Sequence, residues 1–108
     1  MDGEEQAARW EELVARLLVT EGSGLSPLSA GILAALDLGL ARDSRTFARV
    51  FDVAHALVLR ECTTLVEDLG FLSMIRRDER TQRLFPALTN TGQALLDMAR
   101  HRAQEQGS

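Results

Sequence analysis

Apolar positions recur at a helical spacing from the start of the chain. Trp10, Leu13, Val14, Leu17 and Leu18 fall at i, i+3, i+4, i+7 and i+8, one stripe of an amphipathic helix over 4–21. Glu4 and Glu5 suit the positive end of that helix, and Gly22-Ser23-Gly24 ends it. Ser26-Pro27 opens a second helix, with Ser as N-cap and Pro at the first helical position. Leu28, Ile32, Leu33 and Leu36 make it nearly apolar all round, which predicts a central, covered helix stopping near Gly39. Asp43 and Ser44 offer the next N-cap, and Phe47, Val50, Phe51 and Ala54 make the buried stripe that follows.

No Gly or Pro interrupts the stretch from Ser44 to Leu69. One helix of that length would exceed the usual range for a globular protein, so a tight turn is expected near residues 56–59. A helix from Arg60 to Leu69 then stops at Gly70. It turns Leu59, Cys62, Leu65, Val66 and Leu69 inward, and Arg60, Glu61, Thr63, Thr64, Glu67 and Asp68 outward. Phe71–Ile75 reads as a strand, 76–83 as a polar turn and Leu84–Leu88 as the returning strand. Pro86 cannot donate to a ladder, so that strand needs a free edge. Thr89 caps a closing helix over 89–105, with Leu95, Leu96, Met98 and Ala99 on its inner face.

The expected fold is mainly α with a small β-hairpin, in one domain. Helix, tight turn, helix and hairpin in that order make a winged helix-turn-helix core over 26–88. The helices at 4–21 and 89–105 flank it.

Charge sharpens this picture once it is placed along the chain. The net charge is −4, yet residues 42–60 carry four Arg against two Asp, and residues 76–83 carry four Arg against Asp78 and Glu79. Screening limits a charge's reach to about 8–10 Å at physiological salt, so these local excesses matter for phosphate contact more than the total. All twelve basic residues are Arg, whose fork matches phosphate oxygens and guanine edges.

These features point to double-stranded DNA as partner. Arg60, Thr63 and Thr64 lie near the start of the helix that would enter the major groove; Arg can pair with guanine and Thr with base edges or a thymine methyl. Arg76, Arg77, Arg80 and Arg83 on the hairpin suit phosphate or minor-groove contact. Arg45 and Arg49 lie four apart on the helix that would cross the backbone. For Arg45 and Arg49 the plainer alternative is a solvated charged face, and for the hairpin arginines a solvated charged loop with internal Arg–Asp pairs. Glu67 and Asp68 would repel phosphate, so that end of the helix must tilt away. The acidic residues also keep open a second reading, a winged helix that binds protein rather than DNA.

From Gly70 onward the chain resembles the winged-helix regulators of the MarR (multiple antibiotic resistance regulator) type. The likeness rests on Gly70-Phe71-Leu72, on Asp78-Glu79-Arg80 in the hairpin, and on Leu88-Thr89-Asn90-Thr91-Gly92-Gln93-Ala94-Leu95-Leu96. Upstream, Asp52 to Leu59 is similar to a family segment that usually carries Gly where Val58 stands. PadR-like regulators resemble the chain nearly as well. The resemblance covers about residues 26–99. It implies a homodimer on a pseudo-palindromic site, paired through its terminal helices. Trp10, Leu13, Leu17, Leu96 and Met98 are the candidates for that interface, and the alternative for the first three is packing on the chain's own core. A small-molecule effector is a further expectation from regulators of this kind.

The sequence excludes several other classes. No apolar run approaches the ~20 residues that span a bilayer. The acidic start lacks a signal peptide's apolar core, and a single cysteine suits a reducing, cytoplasmic setting. Cys62 is expected as a small buried apolar residue, with redox sensing as the alternative. His55 and His101 have no third partner at metal spacing, so neither metal nor cofactor is expected. No catalytic grouping or phosphate loop is present to support an enzyme.

Overall fold

The computed structural model describes residues 3–107, with side chains to His101. The elements run α1 (Gly3–Val19), α2 (Pro27–Leu38), α3 (Ser44–Val50), α4 (His55–Glu67), β1 (Leu72–Asp78), β2 (Arg83–Leu88) and α5 (Asn90–Gly107). The fold is therefore mainly helical with one small antiparallel hairpin. None of these helices is long and apolar enough to cross a membrane.

α2 is the axle of the core. Ser26 accepts from the Ser29 amide while the Ser29 hydroxyl accepts from the Ser26 amide, a reciprocal cap. Gly39 ends the helix in the left-handed conformation. Residues 29–35 are all buried, as an all-round apolar helix requires. α1 lays Leu13 and Leu17 against it, and α5 contributes Leu95, Leu96 and Ala99 from the other side. An ion pair between Arg100 and Asp37 ties α5 to α2.

Gly31 marks a close approach. A Cβ there would come 2.9 Å from Cζ2 of Trp10, whose Nε1 donates to the Gly31 carbonyl at 3.0 Å. The Trp10 ring also stacks on Phe51, with centroids 4.7 Å apart. Trp10, Leu13 and Leu17 of the α1 stripe are thus used within the chain itself, while Leu18 stays exposed.

The expected turn at 56–59 lies elsewhere. α3 ends at Val50, the chain turns through Phe51–Ala54, and α4 begins at His55, so residues 56–59 are helical. Asp52 makes the break, adopting φ 53°, which a short polar side chain tolerates better than most. Phe51 is drawn off the helical path onto Trp10. α4 is consequently thirteen residues long and starts five residues earlier than the apolar pattern indicates.

The hairpin strands are also longer than expected. β1 continues through Arg76 and Arg77 to Asp78, and Arg83 already belongs to β2, leaving a turn of four residues. Asp78 shapes it by accepting from the amides of Arg80 (3.0 Å) and Thr81 (3.3 Å). A register shift between Met74 and Arg76 leaves Ile75 unpaired. Beyond it Arg76 pairs with Phe85 and Arg77 with buried Leu84. Pro86 faces Met74 in a strand that has β1 as its one ladder neighbour.

Candidate nucleic-acid interface

The longer α4 presents one continuous outward stripe. Val58, Cys62 and Leu65 are buried, whereas Ala56, Leu57, Arg60, Thr63 and Glu67 are exposed. Positions 56, 60, 63 and 67 lie one above another on a helix. From the N-terminus the stripe reads small apolar, guanidinium, hydroxyl, carboxylate. Leu57, 45% exposed, flanks it. Arg60 has no ion pair with another described residue, and the Thr63 hydroxyl donates to the Leu59 carbonyl, which leaves its lone pairs free. Thr64 is half-buried beside the stripe. Ala56 and Leu57 join this stripe because the chain breaks at Asp52 and not at 56–59; Asp52, a residue at ease with positive φ, is the sequence signal for that break.

The hairpin packs on α4 through β1 and on α3 through β2. Its arginines divide by what they touch. Arg80, at the turn, has no side-chain partner among the described residues. Arg76 lies over the Phe85 ring at 4.2 Å and stays exposed. Arg77 donates to Gln82 at 3.3 Å and is exposed too. Arg83 is committed inward: its guanidinium lies 3.6 Å from Asp43, and its Nε is buried with no hydrogen-bond partner. Arg45 donates to the Thr81 carbonyl at 2.8 Å, fastening the start of α3 to the hairpin turn. Arg49 is exposed, without a partner among the described residues.

Asp43 organises this corner. Its carboxylate caps α3 through the amides of Arg45 and Thr46, each at 3.0 Å, and accepts the Thr46 hydroxyl at 2.7 Å. Burial alone would raise its pKa. The Thr46 hydroxyl and amide, the Arg83 guanidinium and the Arg45 amide outweigh burial and hold it below the ordinary value. Next to it, buried Ser44 accepts from the Leu84 amide at 2.9 Å and sits 2.8 Å from His55 Nε2. Neither contact leaves a sequence signal, since the Ser44–Leu84 partners are forty residues apart.

The five interface candidates on the terminal helices are placed unequally. Leu13, Leu17 and Leu96 are 5%, 0% and 0% exposed, inside the chain's own core. Trp10 is half-buried against Phe51 and Gly31, and Met98 is open at 56%. An open groove of about 380 Å³ runs between α1 and the end of α3, beside Ala7, Trp10, Leu40, Val50 and Phe51. Cys62 is fully buried, and burial, with Glu61 nearby, pushes its thiol up to about 12. Among the described residues no cluster of three His, Cys, Asp or Glu side chains is placed to hold a metal.

Comparison with protein-family models, curated proteins and solved structures returned no match for this chain.

Proposed function

We propose that the chain is a winged helix-turn-helix regulator that binds double-stranded DNA. In this reading α4 enters the major groove and the hairpin is the wing. The observation that carries it is the outward stripe of α4, uncommitted to the fold and followed at once by an arginine-bearing hairpin packed on the same helix. At 1.5 Å per residue α4 is about 20 Å long, and a helix fits a groove roughly 12 Å wide. Arg60 would pair with guanine, Ala56 and Leu57 would meet a thymine methyl, and Thr63 would accept from a base amine. Arg76, Arg77, Arg80 and Arg49 are the exposed cations for phosphate, whereas Arg45 and Arg83 hold the wing in place.

Homodimerisation is part of the same proposal. With Leu13, Leu17 and Leu96 used inside, the large exposed apolar side chains on the terminal helices, among the described residues, are Leu18, Val19 and Met98. Two copies would then read two half-sites about one helical turn apart.

Gel shifts against a random double-stranded oligonucleotide library, at low salt and then at physiological salt, test the proposal. Retention at low salt with a steep fall as salt rises is the expected result. No retention even at low salt would sink it. A second reading, docking to a protein, is favoured by exposed Glu67 and Asp68 at the end of α4 and by Ile75, 71% exposed on the hairpin. It predicts capture of a basic protein partner where DNA fails.

A further inference from the structure

One buried hydroxyl joins the hairpin to two helices at once. Ser44 is the first residue of α3 and is fully buried. Its Oγ accepts from the Leu84 amide of β2 at 2.9 Å, on the strand edge that β1 leaves free. The same Oγ stands 2.8 Å from Nε2 of His55, the first residue of α4. Three elements therefore meet at one oxygen. The Leu84 N–H occupies one lone pair of this oxygen and leaves the hydroxyl proton available. With neutral His55 in the tautomer that carries its proton on Nδ1, that hydroxyl donates to Nε2.

We propose that Ser44 and His55 form a pH-sensitive clasp, closed while His55 is neutral and opened when the ring is protonated. Protonation turns Nε2 from acceptor to donor. Two donors then converge on Ser44 Oγ, and the hydroxyl proton loses the acceptor it had. The surroundings disfavour the cation as well. Burial and then Arg45 lower the ring's affinity for a proton, Asp43 opposes them and Arg83 adds to them. The positive end of α4 acts in the same direction. The other elements packed on α4 offer little relief. The single acid of α2, Asp37, is paired with Arg100, and Asp78 of β1 is occupied by the hairpin turn. Opening the clasp would remove one of the ties between β2 and the start of α3, leaving the Arg83–Asp43 and Arg45–Thr81 contacts to hold the hairpin, and would loosen the position of Arg76, Arg77 and Arg80 relative to Arg60. That consequence rests on the proposed DNA-binding reading; the clasp itself does not.

Amide hydrogen exchange of the full chain, read residue by residue by NMR and corrected for intrinsic rates, tests the clasp without DNA. From about pH 8 to about pH 5, protection at the Leu84 amide is expected to fall about tenfold, the loss of one hydrogen bond's worth. The Phe71 amide, which donates to Leu65 at 3.0 Å away from the junction, is the control and should change less. His55→Gln, which cannot be protonated in this range, should make Leu84 flat across it. Should that variant fail to fold, the wild-type midpoint must coincide with the His55 ring titration followed by its Cε1–H shift. Constant Leu84 protection, a parallel fall at Leu84 and Phe71, or a midpoint unrelated to His55 would each overturn the proposal.

Discussion

A side chain on Gly92 would strike the backbone of Phe71: its Cβ would lie 2.1 Å from the Phe71 carbonyl oxygen. Thr89 makes the same seam from the other side. Its hydroxyl donates to the Gly70 carbonyl at 2.7 Å and accepts from the Gly92 amide at 3.0 Å, and its amide donates to Phe71 at 3.1 Å. The Leu-Thr-x-x-Gly run that begins α5 is thus a joint between the end of β2, the first turn of α5 and the chain entering β1. Gly92→Ala should destabilise the protein by about 1–3 kcal/mol through overpacking. This outweighs the roughly 1 kcal/mol that Ala gains over Gly inside a helix. Urea unfolding checks it, and an unchanged or raised midpoint would contradict the close approach.

Leu17 and Met98 separate core from interface. Leu17→Ala should cost roughly 2–5 kcal/mol, independent of protein concentration, because the side chain is fully buried within one chain. Met98→Glu should leave the folded chain nearly as stable and weaken self-association instead. Unfolding at two protein concentrations, with sedimentation for the oligomeric state, distinguishes them. A concentration-dependent Leu17 effect would return that residue to the interface.

On DNA, Arg60→Ala should cost about 1–3 kcal/mol on the preferred site and relax its sequence preference. Arg80→Ala should weaken all sequences alike and reduce the salt slope by about 1. Replacing thymine by uracil in the selected site should lower wild-type affinity and lower that of Leu57→Ala less, since Leu57 presents the larger apolar side chain to the methyl. Charge reversal at Glu67 and Asp68 should raise DNA affinity; a loss there would favour the protein-docking reading.

Acid should destabilise the fold in two windows. His55 has a lowered folded pKa, so the unfolded chain takes up the proton first. Its contribution is whole at neutral pH and is lost as pH falls below the ring's ordinary 6.5 toward its folded value. Asp43 also has a lowered folded pKa. Its contribution is whole above the ordinary 3.8 and is lost as pH falls through the folded value. His55→Gln should remove the first window alone. Asp43→Ala should remove the second and cost about 1 kcal/mol at neutral pH through the lost α3 cap. Thermal unfolding across a pH series reads both.

Cys62 should resist alkylation in the native state. With its thiol pushed up to about 12 by burial, the side chain stays protonated at ordinary labelling pH, and no surface is open to the reagent. Labelling should therefore follow unfolding. A burst of modification without denaturant would revive the redox alternative.

Much of the architecture follows from local pattern. The caps at Ser26, Asp43 and Thr89, the covered character of α2 and the α1 stripe are read correctly from residue type and spacing. These are short-range effects, and the residues that decide them are neighbours in the chain. The α3–α4 boundary is different. No breaker marks it, and it is placed by Phe51 leaving the helix to stack on Trp10, forty-one positions earlier, while Asp52 accepts a left-handed backbone. The site divides in the same way. That arginines would crowd the hairpin is plain in the chain, and Asp78 shaping the turn is local. That Arg83 and Arg45 are spent on Asp43 and Thr81, that Leu13, Leu17 and Leu96 are core, and that Ser44 joins His55 to Leu84 are matters of which surfaces meet. Periodicity shows that a side chain faces inward or outward, but its partner is chosen by packing between elements far apart in sequence. For this protein most of the elements were determined locally, whereas the α3–α4 boundary and the division of arginines between holding the hairpin and facing solvent were decided by the tertiary fold.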